Sequence, residues 1–109
     1  MIWFKDLYVG RLMAFRRNAV VAAIEKGSYP SGVYVILLPE SESSQLEIMP
    51  ARELRHAYVR EHCRMIVGIA QGKTEAQSIV ERLAGDVYAH GDDISIREWL
   101  IGREKTCCM

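Results

Sequence analysis

Val33-Tyr34-Val35-Ile36-Leu37-Leu38 is the stretch whose reading decides the fold. Every residue is β-branched, aromatic or aliphatic. Gly27-Ser28-Tyr29-Pro30-Ser31-Gly32 precedes it as a loop and Pro39 closes it, so it reads as a strand. It does not alternate. Val33, Val35 and Leu37 point one way and Tyr34, Ile36 and Leu38 the other, so both faces demand cover.

Downstream, Glu40-Ser41-Glu42-Ser43 has the size and polarity of a hairpin loop. Ser44–Met49 then alternates, with Leu46 and Ile48 on one side, and Pro50 stops it as an edge strand. Ala51–Glu61 has short-helix composition. Arg64–Ala70 reads as a third strand, ended by Gly72. Thr74 and Gln77 form a capping box ahead of a helix with Ala76, Ile79, Val80, Leu83, Val87 and Tyr88 on one face. Ser95 and Glu98 form a second box before a last short helix, with Ile94 placed to staple against Trp99 and Gly102 suited to its end.

Upstream, Phe4, Tyr8, Leu12, Phe15, Ala19 and Ala22 recur every three to four residues. That spacing predicts a long helix over residues 4–26, weakened only by Gly10. The expected fold is a two-layer α+β domain over residues 1–109. Its three-stranded, mainly antiparallel sheet has order 2-1-3, with two long helices on one face, two short helices, and a frayed tail at 103–109.

Composition bounds the function classes. The chain has 109 residues, 50% hydrophobic and 26% charged, a globular balance rather than a disordered one. Lys+Arg and Asp+Glu both total 14, so no global field draws the protein to nucleic acid or an anionic membrane. The charge is uneven along the chain. Residues 1–30 hold five bases against two acids, while 31–50 hold three acids and no base. Cys63, Cys107 and Cys108 have no disulfide-framework spacing, Lys5, Asp6 and Arg11 interrupt any leader-like apolar run, and no apolar stretch approaches a membrane span. The expectation is a cytoplasmic protein.

The blocks Val33-Tyr34-Val35-Ile36, Leu46-Glu47-Ile48-Met49-Pro50, Glu53-Leu54, Ile66-Val67-Gly68-Ile69-Ala70-Gln71-Gly72, Glu75-Ala76 and Asp86-Val87-Tyr88 resemble a group of small bacterial cytoplasmic proteins with no assigned activity. The resemblance spans roughly residues 7–101. It implies the fold and a cytoplasmic location, and it carries over no site residue.

Chemical signatures are sparse. Gly72-Lys73-Thr74 sits where a phosphate loop would, but the first glycine of that motif would fall on Val67. His56, His62 and Cys63 are soft ligands in one segment without the paired spacings of a zinc site. His62 is Cys63's neighbour, and neighbours on a strand face apart, which argues against a nucleophile–base pair. Glu40, Glu42 and Glu47 read as a solubilised edge. The leading expectation is therefore a non-enzymatic interaction or regulatory module without cofactor or small-molecule substrate. It would form a homodimer or bind a protein partner through Tyr34, Ile36 and Leu38. The alternative is weak nucleic-acid binding through Arg11, Arg16 and Arg17 on the N-terminal helix. The even charge counts against that, and so does the expected burial of Phe4, Tyr8 and Phe15 on the opposite stripe.

Overall fold

The structure is a computed structural model that describes residues 2–41, 46–89 and 95–107. Strand β1 is Trp3–Val9, helix α1 Arg17–Glu25, β2 Val33–Pro39, β3 Glu47–Pro50, α2 Ala57–Glu61, β4 Cys63–Gln71, α3 Lys73–Ala89 and α4 Ile96–Cys107. Two 3-10 turns, Ala14–Arg16 and Ala51–Arg55, lead into α1 and α2. The strands form one mixed sheet in the order β1-β4-β2-β3. β2 is antiparallel to both β3 and β4, while β1 runs parallel to β4.

Three of the four strands stand where the sequence places them, in the expected spatial order, with β3 at an edge. The fourth is a correction. Residues 4–26 are not one helix: the chain forms β1, turns at Gly10, and becomes helical only from Ala14. The cause is a bulge. Trp3 pairs with Ile66 and Tyr8 with Gly68, so five steps along β1 match two along β4. The bulge brings the Phe4 and Tyr8 rings into a parallel stack, 6.3 Å between centroids. Residues four apart share a face in a strand as they do in a helix, so the Phe4–Tyr8 spacing imitates the helical period.

The doubly apolar strand is covered from both sides by the chain itself. Ile36, Leu38, Met65 and Val67 pack beneath Ile79 and Leu83 of α3 and Leu100 of α4. On the other face Val33, Val35, Leu37, Ile66 and Ile69 meet Val20 and Ile24 of α1, with Met13, Ala51 and Leu54. The architecture is thus three layers rather than two: α1, in place of the long helix expected over residues 4–26, lies on the face opposite α3, and α4 shares the α3 face. Ile36 is 0% and Leu38 1% exposed, and Tyr34 is half-buried at the margin of the same cluster. The Tyr34, Ile36 and Leu38 face expected to meet a partner is interior, because α3 and α4 occupy it. Among the described residues no helix is long and apolar enough to cross a membrane.

Helix ends follow local chemistry. α1 stops in a Schellman arrangement, with Gly27 at φ 84°. There Ser28 N–H donates to Ala23 O at 2.8 Å and Gly27 N–H to Ile24 O at 3.0 Å. At α4 the Ser95 hydroxyl accepts from Glu98 N–H at 3.1 Å, as the second capping box requires. The Ile94 staple lies outside the described residues. α4 continues through Gly102 to Cys107, past the expected end and into the segment read as a tail. One guanidinium locks α4 to the sheet: Arg97 donates to Pro39 O at 2.6 Å, Glu40 O at 2.8 Å and Ser41 O at 3.1 Å, gathering the carbonyls that leave β2.

Ile36→Ala separates the interior from the partner-surface reading. A fully buried isoleucine should cost about 2–5 kcal/mol in chemical denaturation. A loss under about 0.5 kcal/mol would mean that this face is open.

Candidate functional site

Parallel pairing places the carboxyl ends of β1 and β4 side by side. The Gly10–Met13 loop and the start of α3 both emerge there. In α/β sheets this is the end at which crevices form, and here a cleft of about 560 Å³ opens, lined by Arg11, Leu12, Gln71, Thr74, Ser78 and Arg82 among others.

Its floor is a carboxylate. Glu75 Oε1 accepts from Gln71 N–H at 2.8 Å, and Oε2 accepts from Leu12 N–H at 3.0 Å. Gly72, at φ 90°, turns the chain into α3, and Ala76 N–H returns to Gly72 O. The helix therefore starts one residue before the expected cap. Thr74 lies within α3, where its carbonyl accepts from the Ser78 hydroxyl, and the first-turn side chain that reaches back is Glu75, to the Gln71 amide just before the helix. This disposes of the phosphate-loop reading of Gly72-Lys73-Thr74 on physical grounds: the negative charge that a helix N-terminus attracts is already supplied from within the chain. A Cβ on Gly10 would stand 1.9 Å from Glu75 Oε1, so any larger residue there displaces the carboxylate from its amide partners.

The soft-ligand segment is not brought together as a chemical centre. His62 Nδ1 lies 2.8 Å from Tyr58 O, and its ring packs on Tyr58 at 4.2 Å. His56 lies 3.9 Å from Glu53. Among the described residues no group of His, Cys, Asp and Glu is arranged to hold a metal. Burial, helped by the nearby Glu40 carboxylate, pushes the Cys63 thiol from its ordinary 9.0 up to about 11, so it is protonated and poorly nucleophilic near neutrality.

Arg11, Arg16 and Arg17 do reach one end of the molecule, but not as a helix face. Arg11 stands in the loop after β1, Arg16 in the 3-10 turn and Arg17 at the start of α1. Arg16 is half-buried and donates to Gln71 Oε1 at 2.9 Å, which removes it from the free surface and ties the turn to β4. Arg11 and Arg17 are exposed, and their side chains make no hydrogen bond or ion pair among the described residues.

Three contributors were not legible as such. Phe15, assigned by periodicity to an apolar stripe, is 86% exposed, and Leu12 is 63% exposed. Arg82, read as part of a solvated face, crosses back from α3, donates to Val9 O at 3.1 Å and lies 5.4 Å over the Tyr8 ring. The Tyr8 hydroxyl donates to Asp86. A shallow hollow beside the cleft is lined by Lys5, Asp6, Tyr8, Arg17 and Arg82. Arg82 borders both depressions, so Arg11, Arg82, Lys5 and Arg17 form one continuous basic tract. Reading β1 as a strand would have freed Phe15 from the stripe.

Removing the Glu75 carboxylate (Glu75→Ala) leaves two backbone donors without partners and should cost about 1–3 kcal/mol for each that water does not reach. Gly10→Ala should also destabilise, but adding it to Glu75→Ala should cost less than the sum, because the clash is gone. Strict additivity in a denaturation cycle would contradict the contact. With Cys107 and Cys108 changed to serine, Cys63 should resist iodoacetamide at pH 8 and gain reactivity as pH rises toward about 11. The sign for stability follows. The unfolded thiol ionises first, so the thiol's contribution is intact below pH 9.0 and is lost as pH climbs through about 11. Ordinary alkylation at pH 8 would show an open thiolate.

Compared with protein-family models, with curated proteins and with solved structures, this chain finds no match in any of the three, so the geometry of this end is the ground for a functional reading.

Proposed function

We propose that this chain is a small cytoplasmic interaction module without catalytic chemistry of its own, and that its contact surface is the basic end where β1 passes into α1. The observation that carries the reading is a broken local rule. Helix N-termini are positive and favour acidic residues or polar caps. α1 has no acid in its first turn and no side-chain cap, and Arg16 and Arg17 stand at that position. Exposed Phe15 and Leu12 lie in the same stretch. Positive charge on a positive dipole, beside uncovered apolar side chains, costs stability in the free protein. Departures of this kind are expected where a surface is kept for a partner. An anionic partner offsets all of these costs together.

Self-association is the second reading, favoured by the exposure of Leu12 and Phe15. A two-fold contact through that patch would set Arg11 and Arg17 against their own copies, which repels. An anionic partner therefore fits the surface better than a second chain.

The wild-type protein should be retained on heparin-agarose at about 50 mM salt and released as salt rises. The double charge reversal Arg11→Glu, Arg17→Glu should flow through, and its circular-dichroism melt should be as high as the wild type's or higher, because an acid then replaces a base at the α1 N-terminus. Flow-through of the wild type at that salt would overturn the reading.

A further inference from the structure

Resting on that reading, we infer that the basic end binds single-stranded nucleic acid. Phosphates would lie along Arg11, Arg82, Lys5 and Arg17, and an unpaired base would stack on Phe15. Single-strand binders combine a cationic track with aromatic faces, because every base offers a π-surface whatever its identity. Both parts are present on one end. Arg11 and Arg82 share the cleft at the strand ends, and Arg82, Lys5 and Arg17 share the adjoining hollow. The acids at these two depressions are few and partly engaged. Glu75 is occupied by the Gln71 and Leu12 amides, Asp86 accepts from the Tyr8 hydroxyl, and Asp6 lines the hollow together with the three bases Lys5, Arg17 and Arg82.

The exposed ring selects among anions. An acidic polypeptide satisfies the arginines but gives Phe15 no flat partner. A duplex keeps its base faces stacked inside and is read by a helix or ribbon placed in a groove. Phe15, in the 3-10 turn that runs into α1, offers an exposed ring that no stacked base inside a duplex can meet face to face. A strand with splayed bases answers both features. With the whole chain at zero net charge, binding depends on the local tract and should be weak and strongly salt-dependent.

Fluorescence anisotropy of the full chain with labelled oligothymidylate tests this, with a hairpin duplex, polyglutamate and phosphatidylserine vesicles as competitors. Oligothymidylate should bind, and only unlabelled single strand should compete well. Phe15→Ala should weaken binding about tenfold at an unchanged salt slope. Phe15→Trp, which keeps a stacking face, should retain affinity. Arg11→Ser and Arg17→Ser should each lower the slope of log K against log salt by about 0.7. Equal competition by duplex or polyglutamate with no Phe15 effect would overturn the single-strand inference and leave the anionic-partner reading standing. Preference for vesicles would do the same. No binding to any of these anions would overturn both.

Discussion

β4 must be dry on both faces. From Met65 to Ala70 it is buried throughout, flanked by β1 and β2 within the sheet and by helices above and below. A strand of this kind cannot sit in a two-layer domain, because one side would put Ile66 and Ile69, or Met65 and Val67, into water. α3 and α4 close one side, and α1 with the Ala51–Arg55 turn closes the other. The order of elements follows. A parallel neighbour for β4 has to come from far away in sequence, since parallel pairing needs a long crossover, and β1 supplies it from the other end of the chain. The basic end exists because of that pairing. Only a parallel β1 brings the loop carrying Arg11, Leu12 and Phe15 beside the turn carrying Gln71 and Glu75.

How legible this was depends on how local each signal is. β2 and β4 announce themselves as uninterrupted apolar runs bounded by proline or glycine, and their neighbour β3 alternates cleanly. Ser95 marks the start of α4 because capping is decided within one turn. β1 fails on all these counts. Apolar residues lie on both of its faces, so no alternation shows, its charged pair Lys5-Asp6 falls in the bulge, and its partner is about sixty residues away. The stacked Phe4 and Tyr8 rings then reproduce a helical spacing. The error passed directly to the site: as a helix stripe, Phe15 is core, whereas beyond a strand and a turn it is surface. The three arginines were visible as charge, but the sequence offered no reason to set an exposed aromatic beside them. Arg82 was hidden for the same reason, since its contacts to Val9 and Tyr8 exist only if β1 is a strand.

Glu75 shows how a short motif misleads when read without its neighbours. Glycine, lysine and threonine between a strand and a helix suggest an anion site, and such a site is present in the sense that amides converge there. The occupant is covalently attached. Its two oxygens tie the Leu12 amide to the Gln71 amide, so the loop of the basic end is held to the central strand rather than left loose. A contact surface on a loop gains from such a tie, because less conformational entropy is lost when a partner arrives. Arg16 acts alongside it: by donating to Gln71 it gives up its role as a free charge and fixes the turn that presents Phe15.

The remaining surfaces explain why this end stands out. Open sheet edges invite pairing with other chains. β1 is bulged and carries Lys5 and Asp6, and β3 is four residues long, with Glu47 at one end and Pro50 at the other. Both edges are thus blunted by the means that proteins use against edge-to-edge growth. The sheet faces are filled by the chain's own helices. Among the described residues, then, neither the edges nor the faces of the sheet offer a long flat apolar surface for another chain. Leu12 and Phe15 remain exposed in a stretch where arginines oppose the α1 dipole. Among the described residues twenty-one hydrophobic side chains are buried, while Phe15 is left 86% exposed next to Arg16 and Arg17. The anionic partner proposed above would answer both the uncovered ring and the charges beside it.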